Sequence, residues 1–283
     1  MKVLVTGVKG QLGYDVMKEL AKRGIEAVGA DLEEFDITNA EQTRNFIMSH
    51  KPDAVIHCSA YTAVDRAEDD IEVCRNVNVN GPKNIAAVCK ELDCKMIYIS
   101  TDYVFPGDGD KFYEPDDATG PKGQYGMTKL DGEKEVQKAL DKYFIVRISW
   151  VFGINGNNFI KTMLRLGKDH DTLTVVSDQI GSPTYTADLA VLLCDMVVTD
   201  KYGVYHATNE GICSWDEFAR TIFEKAGYDN VKVVPVTTEE YGAKAPRPKN
   251  SRMSKEKLIQ NGFHKLPTWQ DALDRYLKEL EQA

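Results

Sequence analysis

A short apolar run, KVLVT at positions 2–6, passes straight into TGVKGQLG, and a helical pattern follows at once. Gly7, Gly10 and Gly13 therefore recur at three-residue intervals where a strand must turn into a helix. Glycine permits the tight turn and a close backbone approach, and the helix N-terminus gathers amides that can hold a pyrophosphate. The next β-rich run, EAVGA, ends at Asp31, where an acid can hydrogen-bond the adenosine ribose hydroxyls of a dinucleotide. A glycine-rich turn that serves packing alone is the plainer reading. Strand, loop, helix and acid in this order are nonetheless the context that a dinucleotide fingerprint requires. The spacing is G-x-x-G-x-x-G rather than G-x-G-x-x-G, which points to one branch of nucleotide-binding folds.

Downstream, short β-rich runs keep alternating with helical patterns. PDAVIHC, KMIYIS and FIVRIS read as strands; NAEQTRNFIMSH, CRNVNVNGPKNIAAVCKEL and the segment from Tyr125 read as helices. In QLGYDVMKELAKRG, Leu12, Val16 and Leu20 form one apolar stripe and Gly24 suits the C-terminal stop. Such alternation predicts βαβ units, and near-continuous apolar strands predict a sheet covered on both faces. After about Trp150, loops rich in Gly, Asn and Pro separate isolated elements, including helices near SWDEFARTIFEKAG and TWQDALDRYLKELEQ. The expected fold class is α/β: a doubly wound, Rossmann-type parallel sheet with a smaller, partly interleaved C-terminal substrate-binding lobe. Residues 1–150 should form the dinucleotide-binding domain, with segments at about 170–205 adding to it, and 151–283 mainly the second lobe.

Composition narrows the partners. The 283 residues carry a net charge of -9, from 35 basic and 44 acidic side chains, which argues against a nucleic-acid surface. The six cysteines show no C-x-x-C pairing and lie in apolar segments, as reduced core thiols would. The start MKVLVTG enters a strand directly, leaving no room for a signal peptide, and LAVLLCDMVV is broken by Asp195 and too short to span a bilayer. The expectation is a soluble, cytoplasmic protein with no membrane partner, as monomer or homodimer.

In QYGMTKLDGEKE, Tyr125 and Lys129 stand four residues apart and share a helical face. The spacing alone fits an ordinary solvated pair as well as a proton donor with a cation beside it. Other motifs arrive in a fixed order: HCSAYTAVDRAE, NVNGPKN, ISTDYVF, VRISWVFGINGNNF, DQIGSPTYTADLA and APRPKNSRM. With TGVKGQLG and YGMTK they make the chain resemble the extended short-chain dehydrogenases and, among them, the dTDP-4-dehydrorhamnose reductases. The resemblance runs from Met1 to the last helix. One departure lies at the expected substrate mouth, where Gly120 and Gly123 flank Pro121.

What the resemblance implies is an NADPH- or NADH-dependent reduction of the 4-keto group of a dTDP-sugar. It assigns the proton to Tyr125, the nicotinamide ribose and a lowered phenol pKa to Lys129, and the carbonyl oxygen to Thr101. It places the cofactor against Gly7, Gly10, Gln11, Leu12, Gly13, Asp31, Asp36, Ile37, Ser59, Ala60 and Tyr61. Asp102, Trp150, Asn158 and Arg247 are the implied substrate contacts. Thr101 could instead cap loose backbone at its strand end, and Trp150 could equally be a buried aromatic at a lobe junction. Arg247, stiffened by Pro246 and Pro248, suits a diphosphate but also reads as an exposed loop arginine. Relatives that bridge subunits with magnesium use carboxylates; Asp15 and Asp188 are shorter than glutamate, and no required metal is expected. Because Asp31 is followed by LEEFD, without a basic residue, no strong selectivity for NADPH is expected. Another nucleotide-sugar epimerase or dehydratase, or a non-catalytic subunit like the methionine adenosyltransferase β subunit, are the alternatives. Dehydratases add acids beside the Thr101 position, and here Asp102 is followed by no glutamate.

Overall fold

Residues 1–282, described by a computed structural model, open with β1 (Lys2–Thr6), α1 (Gln11–Lys22) and β2 (Glu26–Ala30). There follow α2 (Ala40–His50), β3 (Ala54–His57), α3 (Val64–Ala67), α4 (Ile71–Arg75) and α5 (Gly81–Glu91). A π-helical turn at Asn76–Asn80 joins α4 to α5, so the helix read across this stretch is one nearly continuous rod. Next come β4 (Lys95–Thr101), α6 (Gln124–Ala139), β5 (Tyr143–Ile148) and β6 (Val151–Phe152). The remainder holds α7 (Phe159–Asp169), β7 (Thr172–Val176), β8 (Ile180–Gly181), β9 (Thr184–Tyr185), α8 (Thr186–Val197) and β10 (Gly203–His206). It ends with β11 (Cys213–Ser214), α9 (Trp215–Lys225), β12 (Lys232–Val236), α10 (Thr238–Tyr241), α11 (Glu256–Gln260) and α12 (Trp269–Gln282).

Six strands form one parallel sheet in the order β2-β1-β3-β4-β5-β10. Val3, Leu4 and Val5 of β1 are wholly buried because helices cover both faces of the sheet. The stripe Leu12, Val16 and Leu20 of α1 packs with Leu189, Leu193 and Val197 of α8 on one face. Ile47, Ile85 and Val136, from α2, α5 and α6, close the other. Each such side chain stabilises the fold by roughly 1.5–3 kcal/mol on full burial. The strand order reverses between β1 and β3, and a doubly wound sheet opens its ligand crevice beyond the strand ends at such a switch.

A second core surrounds Phe152, Phe218, Ile222, Trp269 and Tyr276. Within the 170–205 segment, α8 and β10 join the layers of the main sheet, whereas β7 pairs with β12. The reason is side-chain burial: Val175 packs with Phe218 and Ile222 in the second core. The two cores therefore draw on alternating segments of the chain.

Candidate active site

At the switch point Gly7 adopts φ +72°, and a Cβ there would stand 2.8 Å from the amide nitrogen of Ser59. A Cβ on Gly13 would lie 2.2 Å from the Gly7 carbonyl oxygen, so α1 can press against the loop only with glycine there. Backbone brought this close leaves a concave cradle, which is the observation by which the loop fits a pyrophosphate. Beyond it a cavity of about 660 Å³ is lined by Gly7, Gly10, Gln11, Leu12, Gly13, Asp31, Ser59 and Ala60, then by Thr101, Asp102, Tyr125, Lys129 and Trp150. A smaller hollow of about 230 Å³ adjoins it, bounded by Asp31, Asp36, Ile37 and Ala60.

The loop also contributes a residue with no expected role. Lys9 ion-pairs with Glu33 at 2.5 Å, and its amide donates to the Asp31 carboxylate at 3.0 Å. The acid cluster after β2 thus has a cation that local sequence after Asp31 does not show. Its signal lay 22 residues upstream, in the same glycine motif.

Tyr125 and Lys129 do share one face of α6, whose first amide is capped by another segment: Gln124 N–H donates to Glu68 Oε1 at 2.8 Å. A carboxylate there also meets the positive end of the helix. Tyr125 stands edge-on to Tyr103, ring centroids 5.3 Å apart. Lys129 is buried; its ammonium donates to the Ile99 carbonyl at 2.7 Å and lies 4.1 Å from the Tyr98 ring centre. Burial brings the lysine down to about 7, with Glu133 opposing. The phenol departs from expectation: in the protein alone burial raises its pKa and Thr101 opposes the rise. Among the described residues no hydrogen bond joins Lys129 to Tyr125, and the phenol's shift comes from burial, Thr101 and neighbouring acids rather than from the lysine.

Thr101 ends β4, lines the cavity and caps backbone by accepting from the Tyr103 amide at 3.3 Å. Trp150 is partly buried. It stacks on Trp215 with centroids 3.8 Å apart and borders the main cavity, at φ +50°. A bulky residue held in the left-handed region is strained and points to a site. Trp150, Trp215, Phe159, Tyr241 and Arg247 bound a second cavity of about 270 Å³, and Tyr103 and Trp150 stand on the lining of both. Arg247 donates to Asp65 at 2.7 Å, while its Nε is buried with no partner.

Two expected residues are engaged elsewhere. Asn158 caps α7 by accepting from Lys161 N–H, and its amide donates to Gln11, Gly153 and Tyr276. Tyr61 turns its hydroxyl to Asp70 at 2.8 Å, outside the cavity lining, while Thr62 and Val64 line it. Asp15 accepts from Thr186, and Asp188 is gripped by Arg275 through two bonds of 2.7 Å and by Asn209. Among the described residues no cluster of three or more His, Cys, Asp or Glu could hold a metal ion, and no helix is long and apolar enough to cross a membrane.

A doubly wound parallel sheet with a glycine cradle at its switch point, and a Tyr-x-x-x-Lys helix beside it, defines a Rossmann-type dinucleotide-binding fold. A family model described as "RmlD substrate binding domain" matches residues 1–282. The spore coat polysaccharide biosynthesis protein SpsK of Bacillus subtilis (strain 168) is 39% identical over 282 residues, covering 100% of this chain and 99% of that one. The dTDP-4-dehydrorhamnose reductase of Aggregatibacter actinomycetemcomitans is 41% identical over 285 residues, covering 96% and 97%. The crystal structure of the dTDP-4-dehydrorhamnose reductase of Bacillus anthracis str. Ames in complex with NADP matches with a TM-score of 0.95 at 44% identity, covering 98% of this chain and 99% of that chain. The chain belongs to the dTDP-4-dehydrorhamnose reductases, an oxidoreductase family.

Proposed function

We propose that this protein reduces the 4-keto group of dTDP-4-dehydro-L-rhamnose to the alcohol of dTDP-L-rhamnose. The observation that carries this reading is a pair of neighbouring cavities: one runs from the glycine cradle to Thr101, Tyr125 and Lys129, and the aromatic one at Trp215 shares Tyr103 and Trp150 with it. The first suits a dinucleotide and the second a flat base with a diphosphate between. The hydride comes from the reduced nicotinamide when it is bound. Tyr125 gives the proton, and its raised pKa suits this, because a donor must stay protonated until an alkoxide, a stronger base, develops beside it. Lys129, held by Ile99 and the Tyr98 ring, orients the cofactor ribose, and Thr101 hydrogen-bonds the carbonyl oxygen. The thymine stacks at Trp150 and Trp215, and the unpartnered Nε of Arg247 turns to the diphosphate.

Either nicotinamide cofactor serves, without strong selectivity: Asp31, Glu33 and Glu34 repel a 2′-phosphate, and Lys9 offsets them. Purified protein mixed with the keto sugar and reduced cofactor should consume cofactor absorbance in proportion to product. Release of water from the sugar without net cofactor oxidation would make it a dehydratase. No chemistry with either cofactor would make it a non-catalytic subunit.

A further inference from the structure

Asp102 is 3% exposed, and among the described residues no basic side chain forms a salt bridge with it. Its partners are two hydroxyls and two backbone amides. Thr101 donates to Oδ1 at 3.0 Å, Ser251 of the smaller lobe donates to Oδ2 at 2.5 Å, and the amides of Asp102 and Tyr103 complete the set. Ser251 borders the aromatic cavity, and Asp102, Thr101 and Tyr125 border the cofactor cavity. A carboxyl buried without a cation costs several kcal/mol when ionised, so a fold that only needed a polar filler at this point would do better with an amide.

We propose that Asp102 is the proton reserve of Tyr125, reached through the Thr101 hydroxyl and refilled from the aromatic cavity through Ser251. This rests on the reductase reading above. Each turnover breaks the Tyr125 O–H bond as the sugar O–H forms, with the hydride supplied by the reduced cofactor. The phenolate then takes the Thr101 proton while Thr101 takes that of Asp102. The carboxylate recovers its proton from water by way of the Ser251 hydroxyl, so the net consumption is one hydride and one solvent proton. When Asp102 is ionised its oxygens only accept, so the Thr101 hydroxyl, 3.0 Å from Oδ1, turns its hydrogen back to the carboxylate. When Asp102 is protonated, Thr101 is free to donate forward. The wire thus has two directions, set by one proton.

Burial lifts the Asp102 carboxyl to about 6, close enough to neutrality to gain a proton from water and pass it on. The titratable and charged groups around it are Tyr103 beside it in the chain and Tyr125 from α6, with Arg247 and Asp65 reaching it through Tyr103. A carboxyl raised in this way is protonated below about 6 and loses its proton above, so the reserve empties as the pH rises through that value.

The test is rapid mixing of the full-length protein with saturating cofactor and keto sugar, for the wild type and Asp102→Asn. The variant should keep its thermal stability and cofactor affinity, and its first turnover should outrun all later ones, because Tyr125 starts protonated. Later turnovers should slow by about 100-fold, leaving a burst of about one cofactor oxidised per site, and the limb of the kcat profile near pH 6 should vanish. Ser251→Ala, which leaves the carboxyl in place, should slow the later turnovers alone. First and later turnovers slowed together, or KM raised with kcat unchanged, would overturn the reserve and leave Asp102 a substrate contact. Failure of the wild type to oxidise cofactor at all would instead overturn the reductase reading.

Discussion

Two buried carboxyls, one on α6 and one just past the end of β4, are handled in opposite ways. Glu133, one turn behind Lys129, is 1% exposed and meets Arg147 through two bonds, Nε to Oε1 at 2.9 Å and Nη2 to Oε2 at 2.7 Å. Ser100 adds a third, and the same guanidinium donates to the Pro115 carbonyl at 3.0 Å. Asp102, in front of the helix, has hydroxyls and amides only. A bidentate guanidinium compensates a buried charge and locks its geometry. Hydroxyls compensate it incompletely but can reverse their hydrogens. The contrast separates an acid that positions α6, β4, β5 and the Pro115 loop from an acid able to exchange a proton.

The comparison breaks most visibly at the paired acid. Arg147→Met leaves Glu133 buried and alone and should cost about 3–5 kcal/mol of stability by chemical denaturation. The double variant with Glu133→Gln should recover part of that loss, since the two changes share one interaction. Asp102→Asn should cost little on the same measurement, and an equal loss at both positions would erase the distinction.

Activity gives the next effect. Tyr125→Phe removes one oxygen and should lower kcat at least about 100-fold with folding intact. Near-normal turnover of the keto sugar would dismiss the tyrosine as donor and, with it, the need for any reserve behind it.

A smaller effect is expected where the smaller lobe meets the sugar nucleotide. Arg247→Ala should weaken substrate binding by about 2 kcal/mol while cofactor affinity holds, since Arg247 borders the aromatic cavity and not the glycine cradle. Titration calorimetry with each ligand separates the cases; equal losses for both would point to a disturbed fold.

Smallest of all should be the change at the cofactor's adenosine end. Wild-type kcat/KM for NADH and NADPH should agree within about tenfold, because the charges there are exposed and screened. Asp31→Ala should move the ratio toward NADPH, and Lys9→Gln should move it back. A hundredfold wild-type preference for NADPH would mean that the phosphate contacts lie elsewhere.

The legible part of this protein was that which depends on neighbours in sequence. Gly7, Gly10 and Gly13 declare a close backbone approach, and Tyr125 with Lys129 declares a shared helical face, because both follow from fixed local geometry. Asn158 shows the opposite case. The motif NGNNF borders the cavities through Asn157 and Phe159, but the Asn158 side chain serves as a helix cap tied to Gln11 and Tyr276, residues more than a hundred positions away on either side. Tyr61 was lost to Asp70 and α6 gained its cap from Glu68 in the same manner, through partners that no periodicity reveals. Lys9 falls between these cases: it sits inside the quoted glycine motif, yet its relation to Glu33 arises only when β1 and β2 pair.

By itself, the sequence determined the alternation of strands and helices, the glycine turn and the faces that each element buries, since apolar periodicity and backbone freedom act within a few residues. Which hydroxyls would surround Asp102, and which guanidinium would meet Glu133, only the tertiary structure decided. Ser251 lies 149 residues from Asp102 and Arg147 fourteen from Glu133, and each pair meets because strands and lobes pack. A buried charge takes its chemistry from whatever the fold brings within about 3 Å of it, and that distance is set by packing rather than by order along the chain.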